Sequence, residues 1–206
     1  MSKPIHVNEN YIHNCDSEKV QIKTKVKAIS QMGFTSEEVI RIMDFYLFNA
    51  PVLKGNKTDD FGLKSLNDYG WRGSSAMSRL ESKLLNASGI SIFCFIKSDS
   101  IDETLKQMNL DDEICTQHPR AVFKQNSKAV IYEDGSTEIK QHETRMECLF
   151  RHFRNAIAHN PTYLFDNENI MFEDCDESGK ISARILMPKN ALLTWIEIVR
   201  SGNGNQ

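Results

Sequence analysis

The stretch RMECLFRHFRNAIAHNP, residues 145–161, has the clearest periodicity in the chain. Met146, Leu149, Phe150, Phe153 and Ile157 recur at offsets 0, 3, 4, 7 and 11, which draws one apolar stripe on a helix of 3.6 residues per turn. Pro161 stops the helix, because a proline ring lacks the N–H and clashes with the preceding turn. The spacing predicts a helix over about 141–159 with one face buried. Removing the stripe leaves a polar face made of Arg151, Arg154, Asn155 and His159.

Outward from this helix the chain reads as mainly helical. Val20, Ile22, Val26, Ile29 and Met32 lie among lysines and predict a surface helix ending at Gly33. Thr35-Ser36-Glu37-Glu38 has the form of a capping box, a hydroxyl followed three residues later by a carboxylate, and predicts a helix that stops before Pro51. Residues 52–74 are rich in glycine and aspartate and predict loop. A further helix is expected from about Ser75, interrupted at Ser88-Gly89 and running on to Phe95, with a short one following from Asp99. Ala121-Val122-Phe123 and Ala129-Val130-Ile131-Tyr132 predict short strands, the second leading into a turn at Glu133 to Ser136. Ile170-Met171-Phe172 and Ile181 to Leu186 flank an acidic turn and predict a hairpin. Pro188-Lys189-Asn190 introduces a last helix that carries Ala191, Leu192, Trp195, Ile196 and Val199 on one face.

With 206 residues, 40% of them hydrophobic, the chain suits one core. The expectation is therefore a single domain over 1–206, mainly α with small β-hairpin insertions, and loosely ordered at 1–17 and 201–206. A formal net charge of −3 excludes a nonspecific nucleic-acid coat, so any such contact must come from a local patch. One exists: between Lys140 and His159 there are four Lys or Arg residues against two Glu. The five cysteines are scattered, and Met1 to Asn10 lacks the apolar segment of a signal peptide. Reduced thiols and a cytoplasmic location are expected. The apolar run Ile90 to Ile96 is far too short to span a membrane. Cys115-x-x-His118 has the spacing of half a zinc site but no second pair, so no metal is expected.

The polar face suits phosphodiester chemistry. A guanidinium is permanently charged and forks onto phosphate through two parallel hydrogen bonds. An imidazole moves protons near neutral pH, and an amide orients its neighbours. RNA supplies its own nucleophile in the 2′-hydroxyl, so a base, an acid and charge stabilisation suffice without a metal or cofactor. One geometric constraint follows. Arg154 and His159 are five residues apart, which on an ideal helix is about 140°. They converge on one substrate only if the helix end loosens or a second copy faces the first.

Residues 149–160, Leu-Phe-Arg-His-Phe-Arg-Asn-Ala-Ile-Ala-His-Asn, resemble the signature of the HEPN superfamily, whose ribonucleases carry an arginine, a polar residue and a histidine a few positions on. Tyr163 to Phe165, Ile170 to Asp174, Ile181 to Leu186 and Leu193 to Ile196 extend the likeness to a plasmid- and phage-defence-associated branch, over about residues 120–200. The resemblance implies a HEPN-like helical bundle and a metal-independent endoribonuclease acting as a toxin or antiphage effector. It implies that Arg154 binds the scissile phosphate, His159 transfers protons and Asn155 positions them. Arg151, His152 and Arg145 are the candidate RNA contacts beside that element. RNA substrate, a homodimer and an antitoxin or regulatory partner are the implied associations. The alternatives are a catalytically silent HEPN module that binds RNA, a nucleotide or a protein partner, and a purely structural interaction protein.

Overall fold

The computed structural model describes residues 19–22, 28–52, 64–97, 100–125, 127–130, 139–159 and 161–203. Its first described element is a strand, β1 (Lys19–Gln21), followed by a 3-10 turn at Ile29–Gln31. The surface helix expected over 18–33 is absent from the described part of that range, because Lys19-Val20-Gln21 pairs as a strand instead. Helix α1 (Ser36–Met43) opens as expected: Thr35 Oγ1 accepts the Glu38 N–H at 3.2 Å, and the Glu38 carboxylate accepts the Thr35 N–H at 2.8 Å. It then widens into one π-helical turn, Asp44–Phe48.

Helix α2 (Gly73–Ser88) ends at Gly89, whose φ of +63° is the left-handed cap that turns the chain out of the helix. The expected continuation to Phe95 is therefore replaced by a strand, β2 (Ile92–Ile96). Next come α3 (Asp102–Gln107), β3 (Glu113–Cys115), β4 (Arg120–Lys124), β5 (Ser127–Val130) and β6 (Ile139–His142). The turn expected at Glu133 to Ser136 lies outside the described residues. Helix α4 (Arg145–His159) starts later than expected, because Thr144 and Glu147 form a second capping box: the Glu147 N–H reaches Thr144 Oγ1 at 3.3 Å, and the Thr144 N–H reaches Glu147 Oε2 at 2.8 Å. Gln141 and His142, expected to be helical, pair as strand. The chain continues through β7 (Thr162–Leu164), β8 (Asn169–Cys175), β9 (Ile181–Pro188) and α5 (Ala191–Ser201).

The strands overturn the expectation of a mainly α, HEPN-like helical bundle. Strands β2, β4, β9, β8 and β7 form one five-stranded mixed sheet in that order, with β2 parallel to β4 and the other pairs antiparallel. The fold is α/β. Two small ribbons, β1 with β3 and β5 with β6, lie outside the sheet.

Both faces of the sheet are buried, and alternate residues divide between two cores. Ala121 and Phe123 of β4, Ile170 and Phe172 of β8, and Ile185 and Met187 of β9 join α1, α2, α4 and α5. Val122, Met171 and Leu186 lie between them in sequence and join Ile101, Leu105, Met108 and Ile114 on the other face. A strand covered on both sides has no polar face, which is why these segments read as short unbroken apolar runs rather than alternating ones.

Helix α4 lies against the sheet by the stripe read from its sequence. Met146, Leu149, Phe150 and Phe153 are buried, and Ile157 packs at the margin. Phe153 meets Phe172 with ring centroids 4.8 Å apart and Trp195 at 5.4 Å, both edge to face. Truncating a large buried ring leaves a cavity that the sheet cannot close. Phe153→Ala should lower stability by about 3–5 kcal/mol, seen as a lower urea midpoint at unchanged slope.

Candidate functional site

The polar residues of α4 divide into an inward and an outward set. Arg151 faces inward and forks onto Glu143, with Nε donating to one carboxylate oxygen at 2.9 Å and Nη2 to the other at 2.8 Å. Burial pulls the Arg151 pKa down, but the hydrogen bond and charge of Glu143 outweigh it and leave the guanidinium above its ordinary value. His152 is 1% exposed. Its Nδ1 lies 2.7 Å from Oδ2 of Asp174, on β8, and donates to it, since a carboxylate only accepts. Asn155 Nδ2 donates to the same oxygen at 3.2 Å.

The focus of this inward set is the end of β4. Pairing between β4 and β9 reaches Phe123 and stops one residue short of Lys124. The Lys124 carbonyl turns to α4 instead, where it meets the Cys148 thiol at 3.3 Å, Arg151 Nη2 at 3.4 Å and His152 Nε2 at 2.8 Å. Burial holds the Cys148 thiol far above its usual pKa, so it stays protonated and donates. His152 Nε2 stands between that carbonyl and Arg151 Nη2, a donor 3.2 Å away. A neutral ring accepts from Arg151; a protonated one donates to Lys124. Burial pushes His152 below the usual imidazole range, against the pull of Asp174 and the Lys124 carbonyl. Among the described residues no buried side-chain nitrogen or oxygen lacks a hydrogen-bond partner.

Arg154 and His159 form the outward set. Arg154 is half-buried and makes one described hydrogen bond, from Nε to the Leu47 carbonyl at 3.2 Å. Leu47 lies at the end of the π-helical turn, where helix carbonyls lack intrahelical partners and carry partial negative charge. Holding the guanidinium by Nε leaves its two terminal nitrogens as an unengaged fork. His159 is exposed in the last turn of α4. The helix stays α-helical to His159, so no loosened end brings it round to Arg154. The two remain about 140° apart around the axis and about 7.5 Å apart along it.

Arg145, at the start of α4, pairs with Glu81 of α2 at 3.0 Å, about 21 Å along the axis from His159. Two of the four cations of the expected basic island are thus paired: Arg151 with Glu143 and Arg145 with Glu81. The structure brings Arg151, His152 and Asn155 together around Glu143 and Asp174, and sets Arg154 and His159 apart from them.

Two members of the network, Glu143 and Asp174, were missed by the sequence reading. Asp174 left a signal. Ile170, Phe172 and Asp174 occupy alternate places on one strand, so a charge stands where the third core residue belongs.

Among the described residues no three His, Cys, Asp or Glu side chains converge as metal ligands. Cys115 is disulfide-bonded, which removes its thiolate from any zinc pair with His118 and departs from the expected set of reduced thiols; Cys94, Cys148 and Cys175 are free. No described helix is long and apolar enough to cross a membrane. No protein-family model, curated protein or solved structure matches the chain.

The buried imidazole gives a pH test. In the unfolded chain His152 titrates near 6.5, and in the folded protein it titrates lower. Between those values the unfolded state binds more protons, so stability is full above about pH 6.5 and falls as pH drops below it. Asp174, Arg151 and the Lys124 carbonyl face the ring. The melting temperature should fall between about pH 7.5 and 5.5, and His152→Gln should flatten that fall; an unchanged slope removes His152 as its origin.

Proposed function

We propose that this protein is a metal-independent endoribonuclease of HEPN type, acting as a homodimer, with Arg154 and His159 as its catalytic pair. The reading carries the motif-bearing helix over to an α/β setting in place of the helical bundle. One observation carries it: of the polar residues on α4, Arg154 and His159 are the two whose terminal atoms remain unengaged. They are also the two whose chemistry phosphodiester cleavage needs.

Their separation around α4 argues for two copies, so that one cleft takes groups from both helices. Phe48 supports this, because it is 64% exposed and adjoins Leu47, whose carbonyl holds Arg154. Exposed apolar surface beside the motif is what a second copy would cover. In the composite cleft His159 takes the proton of an RNA 2′-hydroxyl. The oxygen attacks phosphorus, the bond to the 5′-oxygen breaks, and that oxygen takes a proton from His159 of the partner subunit. Arg154 stabilises the pentacoordinate phosphate. The products end in 2′,3′-cyclic phosphate and 5′-hydroxyl. Asn155 acts from the interior by holding the helix turn between the two. The biological reading is a cytoplasmic toxin or antiphage effector, restrained by an antitoxin or regulatory partner.

The test is cleavage of total RNA by the purified protein with EDTA present. His159→Ala should slow cleavage by about 10²–10⁴-fold. Arg154→Lys should be nearly as damaging, at about 10²-fold, because one ammonium cannot hold the Leu47 carbonyl and also fork onto phosphate. Equal cleavage by wild type and His159→Ala would sink the assignment. A wild type that binds RNA without cutting, with binding lost in Arg154→Ala, would shift the reading to the silent binding module.

A further inference from the structure

His152 and Asn155, three residues apart on α4, end on one atom, Oδ2 of Asp174, at 2.7 and 3.2 Å. Asp174 is 2% exposed. It stands at an irregularity of the sheet: Asp174 pairs with Ala183, but Cys175 pairs with Ile181, which leaves Ser182 as an extra residue on β9. Ser182 fills the gap by donating its hydroxyl to the Asp174 carbonyl at 3.1 Å. Bulges of this kind re-aim a side chain.

Packing does not require a charge here. Ile170 and Phe172 fill the preceding places on the same face, and a buried carboxylate is costly where an apolar side chain would serve. A carboxylate does supply direction. Apolar contacts tolerate rotation of a helix about its axis, whereas two hydrogen bonds to one oxygen do not. At a radius of about 5–6 Å, turning α4 by ~10° moves a side-chain tip by roughly 1 Å. Misplacement on that scale can cost about 10²-fold in rate.

We infer that Asp174 is a positioning residue of the ribonuclease site: through Asn155 it sets the rotation of α4, and hence where Arg154 and His159 point. The inference rests on the ribonuclease reading. It is tested by cleavage kinetics of wild type, Asp174→Ala, Asp174→Asn, Asn155→Ala and the Asp174→Ala/Asn155→Ala double variant. Asp174→Ala should lower kcat about 10²-fold with KM little changed. Asp174→Asn keeps an oxygen that accepts from Asn155 and should recover most of that loss. In the double variant the second substitution should cost almost nothing further, because the two side chains act as one unit. Fully additive losses, or an Asp174→Asn no better than Asp174→Ala, would overturn the inference.

A readout independent of cleavage is the ¹⁵N NMR signal of the Asn155 side-chain amide. It should be shifted and protected from exchange in wild type and Asp174→Asn, and should change position and lose protection in Asp174→Ala. If Asp174→Ala does not fold, the Asp174→Asn and Asn155→Ala variants carry the kinetic comparison. An amide signal indifferent to residue 174 would overturn the inference whatever the kinetics show. No cleavage by wild type would sink the ribonuclease reading, while the NMR comparison would still decide the hold of Asp174 on Asn155.

Discussion

The Lys124 carbonyl is the joint on which α4 turns. Strand β4 loses its β9 partner one residue before Lys124, and a buried carbonyl left without a donor is costly. Helix α4 meets that need with the Cys148 thiol and Arg151 Nη2, and His152 Nε2 becomes a further donor when the ring is protonated. Those three residues cover successive parts of one helix face, so satisfying the carbonyl sets the height of α4 against β4. Asp174 then ties the next turn through Asn155. What faces outward on α4 follows from what must face inward.

The network also draws one arginine of α4, Arg151, away from the surface. Buried charges persist only when paired, and Glu143, with Asp174 4.0 Å away, supplies the negative partner of Arg151. Arg154 escapes this neutralisation because its nearest anchor is a helix-terminal carbonyl rather than a carboxylate. A carbonyl steadies one edge of the guanidinium and leaves the full charge and the other edge available. The π-helical turn at Asp44–Phe48 holds Arg154 through its backbone, by the Leu47 carbonyl.

Much of the local structure was legible in the residues. The apolar stripe from Met146 to Ile157 located α4 and its buried face, Thr35 and Glu38 located the start of α1, and the acidic turn before Ile181 located the β8–β9 hairpin. The Thr144–Glu147 box would have corrected the start of α4 had it been read. Two helical readings failed for physical reasons. Apolar spacing in Ile92 to Ile96 cannot by itself separate a buried strand from a buried helix, and Gly89 ends α2 before that segment begins. Lys19 to Gln21 is strand because a partner 92 or more residues away supplies its hydrogen bonds. The mainly α reading failed at the same point. Parts of β4, β5, β8 and β9 were read as extended, but nothing local said that β4 would pair with both β2 and β9.

The residues alone determined which segments could be helical or extended, because those preferences arise within a few positions along the chain. They also determined which side chains could do chemistry on a phosphate. Tertiary structure decided the five-stranded sheet, because strand pairing joins segments with no local memory of each other. It decided as well that Arg151, His152 and Asn155 are bound to Glu143 and Asp174 while Arg154 and His159 are not. All five share the polar side of one helix, and the groups that meet them, Glu143, the Lys124 carbonyl, Asp174 and the Leu47 carbonyl, distinguish among them.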